Sequence, residues 1–280
     1  MELSNLPQKR EDGTYDPAPI ILKQWIPDQT DYTAQKYEAT YTGTKPVLVI
    51  CTDVGGMEMA NGKVFNTGNH PVEMLVPMLH FRDAGFTFDI TTPTGNPVVI
   101  EKWAFPSSDK NVINLMESIQ TDMDKPKKLS DIPNLNAYSA VFIPGGHGAM
   151  IKLPKDEDLG RLLREAHERK LPTVTLCHGP ATLLATKVGG NKFSYSGYEG
   201  FCFTDKTDSE TPAYGYLPGP MPWKCQETLE KEGMKISNTT ETGDVFIDRE
   251  LITGDSPYAA NKLGVIAAPI LVKHASEQES

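Results

Sequence analysis

Apolar runs of strand length alternate along the chain with stretches whose apolar residues are spaced as in a helix. Continuous apolar runs are typical of parallel strands that are covered on both faces, and longer stretches at helical spacing predict helices. The predicted strands are residues 45–53, 86–90, 137–143 and 173–176. The predicted helices are residues 69–80, 156–170 and 257–273.

Strands and helices that follow one another in this order predict an α/β fold, a three-layer sandwich with a mainly parallel sheet. We assign residues 45–96 and 136–275 to this core. Residues 1–44 carry prolines, charges and tyrosines with little periodicity, which predicts an extended arm. Residues 97–135 interrupt the alternation, and we expect this insertion to form a small lid or second lobe together with the arm.

Composition and charge argue against several classes of function. The chain has 280 residues, a formal net charge of -10 and a pI of about 5.1, so it offers no basic field for a nucleic-acid backbone or an anionic membrane. No apolar stretch approaches the roughly 20 residues that cross a bilayer, and the polar residues 1–19 lack the apolar centre of a secretory signal. We therefore expect a cytoplasmic protein without membrane contact.

The four cysteines are scattered, and no Cys-x-x-Cys pair suggests zinc or a redox dithiol: Cys51, Cys177, Cys202 and Cys225. Cys177 differs from the others because it directly follows an apolar strand and precedes a run of small residues that begins a predicted helix. A thiol on such a turn lies in the positive potential of a helix N-terminus, which lowers its pKa. Cys177 is therefore the candidate nucleophile.

In parallel sheets, ligands bind beyond the carboxyl ends of the strands. Three such ends carry polar or glycine-rich sequence, and we expect them to converge on one crevice: residues 52–53, 144–148 and 177–178. The backbone N–H groups of His178 and Gly146 are candidate oxyanion donors. Taken alone, the glycine-rich segment is equally consistent with a loose turn.

Two acids could complete the site, although spacing does not decide their roles. Glu73 lies on an otherwise apolar helix face, so it either reaches solvent or is buried with a raised pKa as a proton shuttle. Asp208 lies in a polar segment that we interpret as a loop. It is either a solvated acid or the third member of a Cys-His-Asp arrangement with His178.

Four motifs together resemble the PfpI-like superfamily, and within it the HchA branch: residues 69–73, 142–148, 175–180 and 253–257. The resemblance covers roughly residues 15–275. It implies a flavodoxin-like fold of the class I glutamine-amidotransferase type. It also implies that Cys177 is the nucleophile, Glu73 its partner carboxylate, and His178 with Asp208 the remainder of a triad.

The resemblance further implies a glyoxalase III that converts methylglyoxal, a small 2-oxoaldehyde, to lactate without glutathione. Related members are deglycases of glycated proteins or nucleotides, with roles in DNA repair, and heat-shock chaperones for unfolded proteins in the stress response. A homodimer without cofactors is implied as well. Some members of the branch bind a metal through two histidines and a carboxylate. Here the corresponding positions are Arg82, Thr87 and Ile119, so we expect no metal, and we expect His80 to have a packing role.

Two other classes of function stay open. A cysteine peptidase or amidase would use the same Cys-His-Asp set, and a holdase chaperone would need a large exposed apolar patch. A serine hydrolase is disfavoured because no Gly-x-Ser-x-Gly motif is present, and a nucleotide-binding enzyme because no phosphate loop or dinucleotide fingerprint is present.

Overall fold

The structure, a computed structural model, describes residues 3–279, so the first two residues of the predicted arm lie outside the described residues. Its strands are β1 (Gln8–Lys9), β2 (Tyr15–Asp16), β3 (Val47–Ile50), β4 (Gly56–Glu58), β5 (Val64–Asn66), β6 (Phe88–Thr92), β7 (Lys127–Lys128), β8 (Ala140–Ile143), β9 (Thr173–Leu176), β10 (Glu199–Gly200), β11 (Lys235–Ile236), β12 (Val245–Asp248) and β13 (Leu251–Gly254). Its α-helices are α1 (Pro19–Trp25), α2 (Pro71–Asp83), α3 (Lys110–Asp124), α4 (Glu157–Arg169), α5 (Asp205–Tyr214), α6 (Cys225–Lys231) and α7 (Ala260–Glu279).

The main sheet confirms the predicted parallel arrangement. Within residues 3–279, its strand order is β12-β13-β9-β8-β3-β6-β7. Every neighbouring pair is parallel except β12 and β13, which form an antiparallel hairpin at one edge. The carboxyl ends of the four central strands β13, β9, β8 and β3 therefore lie along the same edge, where the site is expected.

The core lies on both faces of this sheet. Side chains alternate along β3, so Leu48 and Ile50 belong to one apolar cluster together with residues of α4. Val47 and Val49 belong to a second cluster together with residues of α2, α3 and α7. Strands that are buried on both faces need helices on both sides, and the predicted three-layer α/β sandwich is confirmed.

Two helix predictions are confirmed with their end signals. Asp156 caps α4, because its side chain accepts a hydrogen bond from the backbone N–H of Leu159 at 2.8 Å. The chain leaves α2 at Gly85, which has φ +99°. A Cβ there would lie 2.3 Å from the carbonyl oxygen of Tyr41, so glycine is required by both the φ angle and the space.

The helix after β9 differs from the prediction. Residues Gly179–Lys187 form a 3₁₀ helix rather than an α-helix. The hydroxyls of Thr182 and Thr186 donate to the carbonyls three residues earlier, at 2.7 Å and 2.9 Å, and Pro180 has no N–H to donate. These features favour the tighter winding over regular α-helical hydrogen bonds.

The arm and the insertion also make contacts of their own with the rest of the chain. The arm strands β1 and β2 join β5 and β4 in a second sheet of order β1-β2-β5-β4. The insertion lies against the core, since α3 buries an apolar stripe beside α2 and β7 pairs with β6. The two segments meet where Thr30 donates to Asp109 through its backbone N–H at 3.0 Å. The periodicity of α3, with Val112, Leu115 and Ile119 buried, explains why the insertion packs on the core.

No helix within residues 3–279 combines the length and the apolar character that crossing a bilayer requires.

Candidate active site

Cys177 occupies a strained turn at the carboxyl end of β9. Its φ is +58°, which is uncommon for any residue other than glycine. Two backbone hydrogen bonds fix this conformation. The N–H of Cys177 donates to the carbonyl of Gly254, and the carbonyl of Cys177 accepts from the N–H of Phe203, both at 2.9 Å. A strained residue that is fixed in this way is typical of a reactive centre.

The sulfur of Cys177 is buried rather than held as a stable thiolate. The residue is 3% exposed. Burial and the charges of Glu73 and Asp208 raise the pKa of the Cys177 thiol well above its usual value, although the backbone N–H of His178 lowers it. The expectation of a lowered pKa was therefore wrong, because desolvation and two nearby acids outweigh the helix terminus. Cys177 needs a base that removes its proton during attack.

Glu73 reaches this sulfur from α2 and is fully buried, so the alternative of a solvent-exposed carboxylate is wrong. Gly145 shows how closely the two side chains approach. A Cβ on Gly145 would lie 2.0 Å from Glu73 Oε2 and 2.9 Å from the Cβ of Cys177. Burial and the neighbouring Glu101 raise the pKa of Glu73 well above its usual value, while the Cys177 thiol and the N–H groups of Gly145 and Gly146 lower it.

Neither carboxyl oxygen of Glu73 has a hydrogen bond of ordinary geometry within residues 3–279. A buried polar group without partners is costly and points to a functional role. Glu73 raises the pKa of the Cys177 thiol, whereas the thiol lowers the pKa of Glu73, so the protonation of each group depends on that of the other. The form with a single proton can deliver a nucleophilic sulfur and a protonated acid in one transfer.

His178 also contacts the sulfur, and Asp208 contacts His178. His178 Nδ1 lies 3.4 Å from Cys177 Sγ, and His178 Nε2 lies 2.8 Å from Asp208 Oδ2. Asp208 is buried in the first turns of α5, so its assignment to a polar loop was wrong. Helix α5 begins at Asp205 because Thr204 caps its N-terminus, and Gly215, with φ +82°, ends it.

His147, which no sequence pattern marked as a site residue, shares Asp208 with His178. Its Nε2 lies 3.0 Å from Asp208 Oδ1, and the two imidazole rings are 3.9 Å apart. Although burial opposes it, the charges of both histidines and their hydrogen bonds lower the pKa of Asp208. An ionised Asp208 has no proton to donate, so both Nε2 atoms donate to it. In its neutral form, His178 therefore presents an unprotonated Nδ1 to the sulfur.

A second buried acid, Glu101, was also missed. Burial raises the pKa of Glu101 to about 7, although hydrogen bonds from Thr67 and the charge of His147 lower it. His70 lies beside Glu73, with Nδ1 3.8 Å from Glu73 Oε1. Burial and the charge of His147 lower the pKa of His70 to about 3, so its ring is neutral at physiological pH. His70 and His147 lie within the sequence motifs at residues 69–73 and 142–148. No sequence motif includes Glu101.

Three strand ends were expected to converge. Those at residues 144–148 and 177–178 lie together, since a Cβ on Gly145 would be 2.9 Å from the Cβ of Cys177. The glycine-rich turn binds the start of α2, since the N–H of His70 donates to the carbonyl of Gly145 at 3.1 Å. Asp53 instead accepts hydrogen bonds from Thr94 and has no contact with the sulfur among the described interactions. The N–H of Gly146 faces Glu73 and that of His178 faces Cys177, so an oxyanion role for these groups stays a prediction.

The residues at the metal positions of the HchA branch do not fit a metal. The Arg82 guanidinium is a cation and the Ile119 side chain is a hydrocarbon, so neither can coordinate. His80 makes structural hydrogen bonds, with Nδ1 2.9 Å from Tyr37 Oη and Nε2 2.7 Å from Asn261 Oδ1. His147, His178 and Asp208 could geometrically bind an ion, but their facing atoms already bond one another.

A cavity of about 820 Å³ leads to this site. Its floor includes His70 and Phe203, and these residues lie against Glu73 and His178 respectively. Its roof comes from the arm, where residues 25–27 and 29–31 cover it. Cys177 and Glu73 do not line the cavity themselves and are buried beside it.

Gly145→Ala is expected to destabilise the protein and to disturb the site. The new methyl group would meet Glu73 Oε2 at 2.0 Å and the carbonyl of Leu176 at 2.5 Å, and backbone cannot move aside cheaply. Overpacking of this kind costs about 1–3 kcal/mol, which corresponds to a fall in melting temperature of several degrees. Thermal unfolding checks this against Gly56→Ala, whose Cβ would approach only the Val64 methyl group, at 3.0 Å. Equal melting temperatures for the two variants would contradict the tight packing.

Comparisons with known proteins agree with the fold. A family model described as the DJ-1/PfpI family matches residues 64–202. A Pseudomonas aeruginosa protein named Protein/nucleic acid deglycase HchA is 42% identical over 275 residues, 95% of this chain and 94% of its own. The protein of the same name from Escherichia coli O1:K1 is also 42% identical, over 92% of both chains.

Solved structures share the fold at lower sequence identity. Rapid Encystment Protein 24 KDa from Francisella tularensis is similar with a TM-score of 0.71 at 20% identity, over 81% of this chain and 99% of that chain. Glyoxalase III from Candida albicans is similar with a TM-score of 0.64 at 23% identity, over 81% and 98%. The predicted resemblance and the flavodoxin-like fold are confirmed, and the chain belongs to the DJ-1/PfpI family.

Proposed function

We propose that the chain is a glutathione-independent glyoxalase that converts methylglyoxal to lactate, with deglycase activity at the same site. The observation that carries this proposal is the buried Glu73, with a raised pKa, against the buried thiol of Cys177. An internal proton transfer between two carbons needs a base of this kind, shielded from water and beside the covalent link. The names of the HchA relatives, which are 42% identical, support the deglycase activity.

The first step joins the sulfur to the aldehyde carbon. Glu73 or His178 Nδ1 takes the thiol proton, the S–C bond forms, and the carbonyl oxygen takes a proton to give a hemithioacetal. The N–H groups of His178 and Gly146 are the proposed donors to the developing oxyanion. Asp208 keeps His178 in the tautomer with a free Nδ1 and stabilises the imidazolium form.

The second step moves hydrogen from one carbon to its neighbour. Glu73 removes the proton from the sulfur-bearing carbon while the ketone oxygen is protonated, which gives an enediol. Return of a proton to the neighbouring carbon, with loss of the hydroxyl proton from the first, gives a thioester of lactate. Water then attacks the thioester carbonyl, the C–S bond breaks, and lactate and the free thiol result. The carbons exchange oxidation states internally, so no external oxidant or reductant is needed.

Deglycation begins with the same bond formation between the sulfur and the aldehyde carbon. In a hemiaminal, the aldehyde carbon of methylglyoxal is bound to an amino or guanidino nitrogen. Reversal of the adduct, or attack of Cys177 with departure of the protonated nitrogen, brings the same three carbons onto the sulfur. The nitrogen compound is released unmodified, and the remaining steps are those given above.

Other properties are proposed on narrower grounds. We place the protein in the cytoplasm, because its four cysteines are free thiols. A homodimer and a holdase role for unfolded proteins follow only from the family resemblance. A cysteine peptidase is the second candidate, but the arm that roofs the cavity leaves little room for an extended peptide.

The test of the proposed function is incubation of the purified protein with methylglyoxal in the absence of any thiol cofactor. We expect lactate to form, measured with an enantiospecific assay, and methylglyoxal to disappear in equal amount. Cleavage of a peptide substrate without lactate formation would replace the proposal by the peptidase alternative.

A further inference from the structure

The proposed proton shift leaves one role without an assigned residue. When Glu73 removes the proton from the sulfur-bearing carbon, negative charge develops on the ketone oxygen of the substrate. Two buried carboxyl groups, Glu73 and Asp208, already act on the sulfur through their charge. A further anion in these surroundings needs a proton or a hydrogen bond, so a donor to the ketone oxygen is required.

The cavity wall supplies few free donors. No lysine or arginine lines the cavity among the described residues, so the donor is a neutral group. Three of the hydroxyls that line it already donate hydrogen bonds within the protein. Thr30 donates to Asp109 Oδ2 at 2.5 Å, Thr207 to Glu241 Oε2 at 2.6 Å, and Thr211 to the carbonyl of Asp208 at 2.9 Å.

Most of the other side-chain donors in the wall face solvent or the base. Gln29 is exposed, and Trp25 and Tyr258 are 38% and 64% exposed. The Nδ1 of His70 has no hydrogen-bond partner within residues 3–279, but it lies 3.8 Å from Glu73 Oε1 and is therefore placed toward the base. The hydroxyl of Tyr216 is the side-chain donor that remains.

The ring of Tyr216 is held in place beside the two histidines of the site. Tyr216 directly follows Gly215, which ends α5, and its backbone N–H donates to the carbonyl of Thr211 at 3.1 Å. Four aromatic rings have centroids 5.8–6.0 Å from its own, namely those of Trp25, Phe65, Trp103 and His147. A ring with neighbours on several sides has little freedom to turn, so the hydroxyl has a defined position in the wall.

The hydroxyl of Tyr216 is a proton donor without a partner in the protein. It makes no hydrogen bond within residues 3–279. Burial raises the pKa of Tyr216 well above its usual value, and negative charges nearby raise it further, those of Glu101, Cys177, Glu73 and Asp208. The phenol therefore keeps its proton at neutral pH. Three of these four groups belong to the proposed reaction, so the phenol lies near the place where negative charge develops.

We propose that Tyr216 is a further catalytic residue, whose hydroxyl gives its proton to the ketone oxygen during the proton shift. As Glu73 takes the carbon-bound proton, the phenolic O–H bond breaks and an O–H bond forms on the ketone oxygen, which gives the enediol. When Glu73 returns its proton to the neighbouring carbon, the hydroxyl on the sulfur-bearing carbon gives its proton to the phenolate. Tyr216 is thereby restored, and no other acid or base is needed. This inference rests on the proposed function, since it names the donor in its second step.

The test is Tyr216→Phe, which removes the hydroxyl and keeps the ring. We expect kcat for methylglyoxal to fall about 10²–10³-fold, as when one donor to a developing oxyanion is removed, and KM to change less than about threefold. The melting temperature should stay within a few degrees, because the hydroxyl has no partner in the protein. Tyr214→Phe is the matched control, because Tyr214 lies at the end of the same helix, is 53% exposed and does not line the cavity. Its kcat should be unchanged.

The first step of the reaction gives a second readout. Formation of the hemithioacetal does not need Tyr216, so native mass spectrometry of Tyr216→Phe should show an adduct of one methylglyoxal that is lost on dilution. Loss of this adduct together with kcat, or a melting temperature lower by many degrees, would show a structural role and overturn the inference.

Lactate formation by the unmodified protein separates the two proposals. If the unmodified protein forms lactate and Tyr216→Phe forms it at the same rate, only this inference fails. If the unmodified protein forms no lactate, the proposed function fails, and the role of Tyr216 fails with it.

Discussion

Cys177→Ala is expected to abolish conversion of methylglyoxal to lactate, with a loss of at least about 10⁴-fold in kcat/KM. Without the sulfur, no hemithioacetal forms and Glu73 has no bound substrate to act on. The φ of +58° at this position is held by hydrogen bonds of its backbone, which alanine retains. The variant should therefore fold.

The measurements are lactate formation and thermal unfolding of the same samples. The change removes only one buried thiol, so the melting temperature should stay within a few degrees of that of the unmodified protein. Cys202→Ala is the matched control, because Cys202 is also a buried thiol but is not part of the proposed chemistry. Its activity should stay near that of the unmodified protein. Lactate formation by Cys177→Ala at an undiminished rate would remove the covalent mechanism.

Glu73→Gln is expected to lower kcat/KM for methylglyoxal by about 10²–10⁴-fold, the usual contribution of a positioned general base. The amide has nearly the same shape as the carboxyl group, but it cannot accept the carbon-bound proton. The fall should appear in kcat more than in KM, because the lost interaction belongs to the proton-transfer step. Kinetics near neutral pH on both proteins measure it.

The same variant should be more stable than the unmodified protein. The folded-state pKa of Glu73 is raised, so the folded state holds more protons than the unfolded state between the unfolded and folded pKa values. Stability therefore falls as pH rises through that interval, and glutamine, which does not titrate, avoids the loss. Thermal unfolding at about pH 8 should give a higher melting temperature for Glu73→Gln. A lower melting temperature would show that the buried carboxyl group stabilises the fold.

The sequence predicted the parts of the structure that depend on local pattern. Strand β9 was predicted with the bounds observed, Thr173–Leu176, because a buried parallel strand is a continuous apolar run. The turn that places Cys177 follows from the same pattern. The winding of residues 179–187 was not predicted, since it depends on threonine hydroxyls that could equally have pointed elsewhere.

Long-range contacts limited the prediction of the site. Asp208 lies 30 residues from His178 in sequence, and its burial follows from how α5 packs rather than from its own polar neighbours. Glu101 approaches the site from the inserted segment, where nothing in the sequence distinguishes it from a solvated acid. The direction of the Cys177 pKa was wrong for the same reason, because the burial that raises it, together with the carboxylates that add to this, depends on how distant parts of the chain pack.

We propose that Cys177 and Glu73 share one proton and that this form of the pair is the active one. The most direct test is the pH dependence of kcat/KM for methylglyoxal, from about pH 5 to about pH 10, in the unmodified protein and in Glu73→Gln. For the unmodified protein we predict a bell-shaped profile, which rises as the pair loses its first proton and falls as it loses the second. For Glu73→Gln we predict much lower activity that only rises with pH, following a single thiol ionisation. A bell of the same shape and midpoints in both proteins would contradict the account.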